Sequence, residues 1–407
     1  MNCRHCNTKL ENLFCNLQTC PPSNAMIKSE ELNKPEIYFP LKVFVCNKCW
    51  LVQANEIKKA EDIFNSDYTY FSSFSSTWLE HSKNYVDYMI ERFEFDQNSK
   101  VMEIASNDGY LLQYFKKKNI PVLGIEPTLN TAQVAIEKGI ETITEFFGYK
   151  LASKMLKKKA DLILGNNVLA HVPDINDFVK GVKIALKPNG INTFEFPYLC
   201  ELIKLNQFDT IYHEHFSYFT LSTVKTIFEF HGLEIFDVQK LTTHGGSLRI
   251  FSKHTEDCSR EIDKSVTDIL DYEMSIGVSS LNYYKDFQLK IDKIRNAFLS
   301  FLIRAKHENK KVVGYGAAAK GNTLLNYCGI KDSGFIDYVV DASPYKQGKY
   351  LPGSRIPVYH PAKIKETSPD YVIIFPWNLK DEIIKQLKLT ISPNIKFVIV
   401  IPELTFI

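Results

Sequence analysis

The sequence predicts an α/β protein: a small cysteine-rich lobe followed by two domains, each built on a doubly wound parallel sheet. Three observations predict it. A strand–turn–helix–strand rhythm begins at Lys100, a second begins at Lys311, and six of the nine cysteines lie within the first 49 residues. Buried strands alternating with helices imply a parallel sheet covered on both faces, with ligands beyond the carboxyl ends of the strands. At about 150 residues per domain, 407 residues leave room for two or three.

Composition narrows the function classes. Hydrophobic residues make up 45% and charged residues 24%, which is ordinary globular usage and argues against wholesale disorder. The 49 basic and 47 acidic residues leave a net charge of +2, so no strongly cationic field exists for nucleic acid. No apolar run approaches the ~20 residues of a membrane span. Met1 to Cys6 lacks the charged-then-apolar plan of a signal peptide. A soluble cytoplasmic protein is expected, monomeric or weakly homo-oligomeric, with neither nucleic acid nor membrane as partner. In a reducing compartment, disulfides are the weaker account of the cysteines.

The elements follow in chain order. Cys3-Arg4-His5-Cys6 and Cys46-Asn47-Lys48-Cys49 are two C-x-x-C pairs, each resembling a zinc knuckle. Zinc takes four soft ligands tetrahedrally, so two knuckles close a structural site. The 39 intervening residues exceed usual finger spacing, and Cys15 and Cys20 confuse the count. Free thiols in an apolar lobe are the alternative. A redox role is disfavoured because neither pair opens a helix after a strand. Zinc on Cys3, Cys6, Cys46 and Cys49 is preferred, holding a lobe with little core of its own. Next comes the aromatic and hydroxyl-rich stretch Asp67 to Ser76, which either caps and packs or covers a site, and then a helix from about Trp78 to Phe93.

Val101–Ala105 reads as a buried strand, Ser106–Gly109 as a turn, Tyr110–Lys118 as a helix and Val122–Glu126 as a second strand ending in a carboxylate. A third strand, Asp161–Leu164, runs into Asn166 and Asn167. An acidic residue ending the second strand suits both ribose hydroxyls of an adenosine, in NAD or S-adenosylmethionine alike. The first turn decides between them. A dinucleotide needs G-x-G-x-x-G for close backbone approach to its pyrophosphate. Here Glu103, Ala105, Ser106, Asn107, Asp108 and Gly109 supply one glycine and two carboxylates. Carboxylates repel a pyrophosphate but attract an ammonium and a sulfonium, so S-adenosylmethionine is expected.

Asp209 to Tyr218 follows the strand Gly190–Phe196 and concentrates the chemistry: His213, Glu214 and His215 between Tyr212 and Tyr218. The H-E-x-x-H spacing of a zinc protease is absent. A surface loop is the bland alternative. A histidine tuned by an adjacent carboxylate suits proton abstraction, and tyrosine hydroxyls can hydrogen-bond a developing oxyanion. His171, just past the third strand, lies on the same sheet edge. From about Ser259 to Lys310 helical spacing predicts long connecting helices. Lys311–Val313 then leads into Gly314-x-Gly316-x-x-Ala319, a permissive dinucleotide fingerprint, with Asp341 ending the strand Ile336–Val340. Alone this argues for NAD, which makes an NAD-dependent oxidoreductase the rival class. Asn322 after Gly321 excludes a P-loop. Strands Tyr371–Phe375 and Phe397–Ile401 complete that sheet, with Trp377 and Asn378 past the end of one.

Over essentially its whole length the sequence resembles the sugar C-methyltransferase family that modifies nucleotide-linked keto-deoxysugars. The resemblance rests on the cysteine pairs, Tyr-x-Tyr-x-Ser-Ser at Tyr68 to Ser73, the turn Ser106 to Gly109, Tyr212-x-Glu214-His215, His244-Gly245-Gly246-Ser247-x-Arg249, and Gly314 to Gly321. Ala105 stands where many members have glycine, and His213 where an acidic residue is common. The resemblance implies a zinc-binding lobe with a lid segment (1–75), a Rossmann-like S-adenosylmethionine methyltransferase domain (76–255) and a Rossmann-like nucleotide-sugar-binding domain (256–407). It implies cofactor contacts from Glu103, Ser106–Gly109, Glu126, Asn166, Asn167, Tyr68 and Ser73. It further implies substrate contacts from His244, Gly246, Ser247, Arg249, Tyr315, Lys320, Asn322 and Asn378, with backbone amides and Lys320 suiting the diphosphate. The implied reaction removes the hydrogen beside a C4 ketone and methylates that carbon, C3 favoured over C5. The base is His215 by analogy, with His213 beside it the alternative. Tyr212, His171 and Tyr70 are oxyanion donors, and Glu214 orients or charge-tunes the histidine.

Overall fold

The computed structural model describes residues 1–57, 71–155, 159–389 and 392–407. Its two large sheets share one winding plan. The central sheet has seven strands, in spatial order Leu233–Leu241, Ser247–His254, Leu186–Pro197, Ala160–Asn166, Val101–Ile104, Val122–Ile125 and Thr142–Ile143. The chain starts at Val101–Ile104, winds outward through two parallel strands, then returns to the other flank at Ala160–Asn166. That reversal opens a crevice at the carboxyl ends of the first and fourth strands. Val101–Ile104 is buried at every position, as a central strand with both faces covered requires. Ser247–His254 is antiparallel to both its neighbours, an edge hairpin that the expected parallel pattern did not include.

The C-terminal sheet runs Val358–Tyr359, Val339–Val340, Val312–Tyr315, Tyr371–Ile374, Lys396–Ile399 and Thr405–Phe406, with its own reversal at Val312–Tyr315. The helical stretch before it divides into Lys264–Ser275, Leu281–Tyr284 and Phe287–His307.

The lobe carries an antiparallel sheet of Asn12–Cys20, Phe39–Val45 and Val52–Ala54, and its fourth strand, Ser217–Tyr218, comes from the central domain. Its core is shared as well. Phe14, Leu17, Leu41 and Val43 belong to one apolar cluster with Phe287, Ile291, Leu324 and Leu325, and Phe14 stacks on Phe287 at 4.5 Å between ring centroids. Arg355 clamps the lobe to the C-terminal domain through Glu36 and the carbonyls of Leu32 and Lys34.

Candidate active site

A cavity of about 530 Å³ opens where the carboxyl ends of the two large sheets face each other. All three parts of the chain line it, Asn24 from the lobe among them.

The turn after Val101–Ile104 forms one wall. Ala105 and Asn107 both have left-handed backbone, φ 57° and 48°, which folds the turn back so that the Asn107 amide reaches Glu126. Glu126 accepts from Asn107 N at 2.9 Å and from Thr128 N at 2.8 Å, one amide to each oxygen. The hydroxyls of Thr128 and Thr131 bond it too, which fixes the carboxylate in place at the cavity wall. Asn107, Glu126, Asn166 and Asn167 line the cavity. Glu103, Ser106, Asp108 and Gly109 stand behind its wall. Asp108 faces Lys138 at 3.5 Å, and a Cβ on Gly109 would lie 2.4 Å from Ile140 Cδ1. Burial lifts the pKa of Glu103 well above the carboxylate range, with Asp108 and Glu126 adding to the rise and the Tyr110 hydroxyl opposing it. Of these three carboxyl groups only Glu126 faces the cavity; Glu103 is held neutral by burial and Asp108 is paired with Lys138, so Glu126 is the acidic group offered to a cationic methyl donor. The buried Asn167 Oδ1, without a hydrogen bond among the described residues, leaves a further acceptor there.

The opposite wall is the 209–218 loop. His215 Nδ1–H donates to the Thr210 carbonyl at 2.8 Å, which fixes the tautomer and leaves Nε2 as the basic nitrogen. Its ring lies 4.1 Å from that of Tyr212 and 4.7 Å from that of His171, and all three residues line the cavity. Burial pushes His171 down to about 4 and His215 well below the usual imidazole range, so both rings are neutral at pH 7. His213 turns the other way, its Nε2 3.3 Å from the Pro40 carbonyl and its ring against Phe39. The geometry therefore brings His215, not His213, to the cavity. Orienting His215 does not fall to Glu214. Its two carboxylate oxygens accept from Asn24 Nδ2 at 2.7 and 2.9 Å. The Thr210 carbonyl orients the histidine instead.

The C-terminal domain supplies Lys320, Lys346 and Asn378. Lys320 Nζ donates to Asn378 Oδ1 at 2.9 Å and sits 4.4 Å from the centroid of the Trp377 ring. Trp377 Nε1 donates to Asp209 Oδ2 at 2.8 Å, tying this domain to the loop that carries His215. His244 lines the cavity too, accepting from Asn167 Nδ2 at 2.8 Å, and burial pushes it down to about 4.

Other expected substrate contacts have structural partners instead. Arg249 is buried against Glu195 at 2.6 Å and His81 at 3.0 Å. Burial alone would raise Glu195, but the His81 hydrogen bond and the Arg249 charge bring it down to about 2. Gly246 has φ 118° and meets Glu201, while Ser247 Oγ donates to the Thr243 carbonyl. Asn322 Nδ2 donates to the Ser23 carbonyl at 2.6 Å, and Tyr315 packs with an apolar cluster of its own domain. Ser73 binds Lys138 at 3.2 Å, whereas its neighbour Ser72 lines the cavity. Tyr68 and Tyr70 lie outside the described residues. The Gly314-x-Gly316 turn is no dinucleotide cradle. Cβ atoms on Gly314 and Gly316 would each lie 2.5 Å from Phe375 or Pro376, so the glycines admit the next strand rather than a pyrophosphate.

Asn24 and Lys346 also line the cavity and were not among the expected site residues. Lys346 follows Asp341 just past a strand end, where the rule that ligands gather at carboxyl ends could have found it. Nothing local links Asn24 to Glu214.

In the lobe, the Sγ atoms of Cys3, Cys6, Cys46 and Cys49 all lie within 4.8 Å of one another, and two pairs stand at 3.5 Å. Tetrahedral zinc with bonds of about 2.3 Å requires sulfurs about 3.8 Å apart, so the set fits. Gln53 Nε2 donates to Cys3 Sγ at 3.2 Å, an outer contact of the kind that orients ligands. Cys15 and Cys20 are buried in the apolar core, which removes them from the count. Between the first two ligands, Arg4 donates to the Phe216 carbonyl at 3.0 Å, so the knuckle braces the loop next to His215. Among the described residues no helix is long and apolar enough to cross a membrane.

Comparison with known proteins agrees with this anatomy. Residues 3–64 match a zinc binding domain, 78–238 a methyltransferase domain, and 242–402 the C-methyltransferase C-terminal domain. The C-methyltransferase NovU of Streptomyces niveus is 35% identical over 385 residues, covering 94% of this chain and 91% of its own. A ubiquinone biosynthesis O-methyltransferase of Pelagibacter ubique is 34% identical over 98 residues, 23% of this chain and 40% of that one. Among solved structures, magnesium protoporphyrin IX methyltransferase (ChlM) of Synechocystis is 13% identical with a TM-score of 0.34, covering 43% of this chain and 78% of that one. With a relative this similar along nearly all of both chains, the protein belongs to the C-methyltransferase family of NovU: an S-adenosylmethionine-dependent methyltransferase with a zinc-binding N-terminal domain.

Proposed function

We propose that the protein methylates a carbon beside the C4 ketone of a nucleotide-diphospho-4-keto-deoxysugar, C3 favoured over C5. One observation carries this. A single cavity has the Glu126–Asn107 turn on one wall, the His215–His171–Tyr212 cluster on another and Lys320 and Lys346 on a third. S-adenosylmethionine, when bound, supplies a methyl group on a sulfonium that a carbanionic carbon can take. Glu126 and Asn107 hold the donor's ribose side. His215 Nε2 removes the acidified hydrogen; its Nδ1–H, held by Thr210, keeps the ring in the tautomer that can do so. Tyr212 donates to the enolate oxygen with His171 lining the cavity next to His215, and Lys320 and Lys346 from the third wall offset diphosphate charge. Desolvation makes neutral His215 a weak base at rest, so the imidazolium needs an anion nearby to persist.

The test is solvent exchange. Wild-type enzyme in D2O should wash deuterium into the position beside the ketone, before or without methyl transfer. His215→Asn should slow that exchange by at least ~100-fold, the range of general-base loss, while binding S-adenosylmethionine as the wild type does by calorimetry. Full exchange in this variant would remove His215 from the base role. A panel of nucleotide-linked 4-ketosugars read by product NMR would identify the carbon, and turnover of none of them would overturn the substrate class.

A further inference from the structure

Glu214 and its partner meet across a large gap in sequence. Asn24 lies in the lobe segment Pro21–Met26, and its Nδ2 reaches both carboxylate oxygens of Glu214, 190 positions away, at 2.7 and 2.9 Å. Both side chains line the cavity that holds His215, and Glu214 is 3% exposed. The segment is itself anchored: Asn322 Nδ2 holds the Ser23 carbonyl at 2.6 Å, and Ile27 pairs with Tyr350. Asn24 is therefore presented by a braced backbone. Both oxygens need a donor to stay ionised when buried, and the cysteine-rich lobe supplies it.

We propose that Asn24 is a positioning residue of the methyl-transfer site: its carboxamide holds Glu214 ionised in the cavity, where the carboxylate balances the imidazolium that His215 becomes on taking a proton. This rests on His215 being the base. The charged and titratable groups around Glu214 are Lys346 from the C-terminal domain, His171 from the 169–171 turn, and His213 and His215 on its own loop. Burial pushes Glu214 up to about 7, while the Asn24 hydrogen bond and the Lys346 charge pull it down. Deleting the Asn24 donor moves that pKa higher still. A step that needs the carboxylate then fails at any pH below the raised value, and the acid limb of the rate profile moves to higher pH.

Two measurements test this. The first is the pH profile of solvent exchange or methyl transfer for wild type, Asn24→Ala, Asn24→Ser and Glu214→Gln, with zinc content and donor binding as controls. Asn24→Ala should raise the acid limb by about one pH unit or more, the effect of losing one hydrogen bond to a charged group. Asn24→Ser, which keeps a shorter donor, should fall between. Glu214→Gln should lose the limb, and adding Asn24→Ala to it should cost nothing further. A uniform loss of rate at unchanged limb would overturn the proposal and make Asn24 merely structural. The second is infrared difference spectroscopy of the Glu214 carboxyl in the resting enzyme, wild type against Glu214→Gln, which needs no substrate. An ionised Glu214 at pH 8 that reprotonates at that pH in an Asn24 variant supports the assignment; a protonated wild-type Glu214 at pH 8 overturns it. If the carboxyl responds as expected while His215→Asn still exchanges, the base assignment has failed and the Asn24–Glu214 coupling has not.

Discussion

Ala105 sits at φ 57°, where a Cβ crowds the backbone and costs a non-glycine residue about 1–2 kcal/mol. Many members of the resembled family have glycine here, and the backbone supplies the reason. Ala105→Gly should relieve that strain, partly offset by the ~0.4–1 kcal/mol of unfolded-chain entropy that glycine restores. The expected outcome in urea titration is a stability unchanged or raised by up to about 1 kcal/mol, with donor affinity kept. Gly109→Ala, in the same turn, should do the opposite. Its φ is 74° and the new methyl would sit 2.4 Å from Ile140 Cδ1, so a loss of about 2–4 kcal/mol is expected. A Gly109→Ala protein as stable as wild type would show that Ile140 and Ala135 can give way. The left-handed turn was not legible from residue types, because alanine is a poor marker of positive φ.

Among the elements, the strand Ser217–Tyr218 joins the lobe to the chemistry. It pairs with Val52 and Gln53, and Arg4 reaches the Phe216 carbonyl from inside the first knuckle. Cys46→Ser should therefore lower zinc content and melting temperature and also slow solvent exchange, because the loop bearing His215 loses its brace. An unchanged exchange rate in zinc-depleted, folded protein would separate lobe from loop. The parallel strands of the two large sheets were legible because burial on both faces favours continuous apolar runs, as in Tyr371–Ile374. A two-residue strand such as Ser217–Tyr218 has no period to read, and its partner lies some 165 residues earlier in the chain. The same holds for Arg249, whose motif could be read but whose Glu195 and His81 partners could not. His215 and His213 were equivalent in sequence; only the fold, by turning His213 toward Pro40, distinguishes them.

For the whole molecule, four thiolates and one Zn²⁺ take the formal +2 to zero, so no long-range field gathers an anionic substrate. Holding the proposed diphosphate falls to local donors, of which Lys320 is partly buried and Lys346 has a side chain 13% exposed. Screening acts weakly on buried charges. The Michaelis constant for the proposed sugar-nucleotide substrate should therefore change little between low and physiological salt; a steep rise would point to distant surface charge instead. The shared core bears on how the chain is made. The lobe is synthesised before the two domains that follow it, yet its fourth strand is residues 217–218 and its apolar face is covered by Phe287 and Ile291. Until those segments are synthesised, Phe14, Leu17, Leu41 and Val43 have no native cover. Early capture of zinc by the two knuckles then adds to the pairing of the three lobe strands while their apolar face waits for cover, and metal supply during translation, more than in the finished enzyme, is where its yield should be most sensitive.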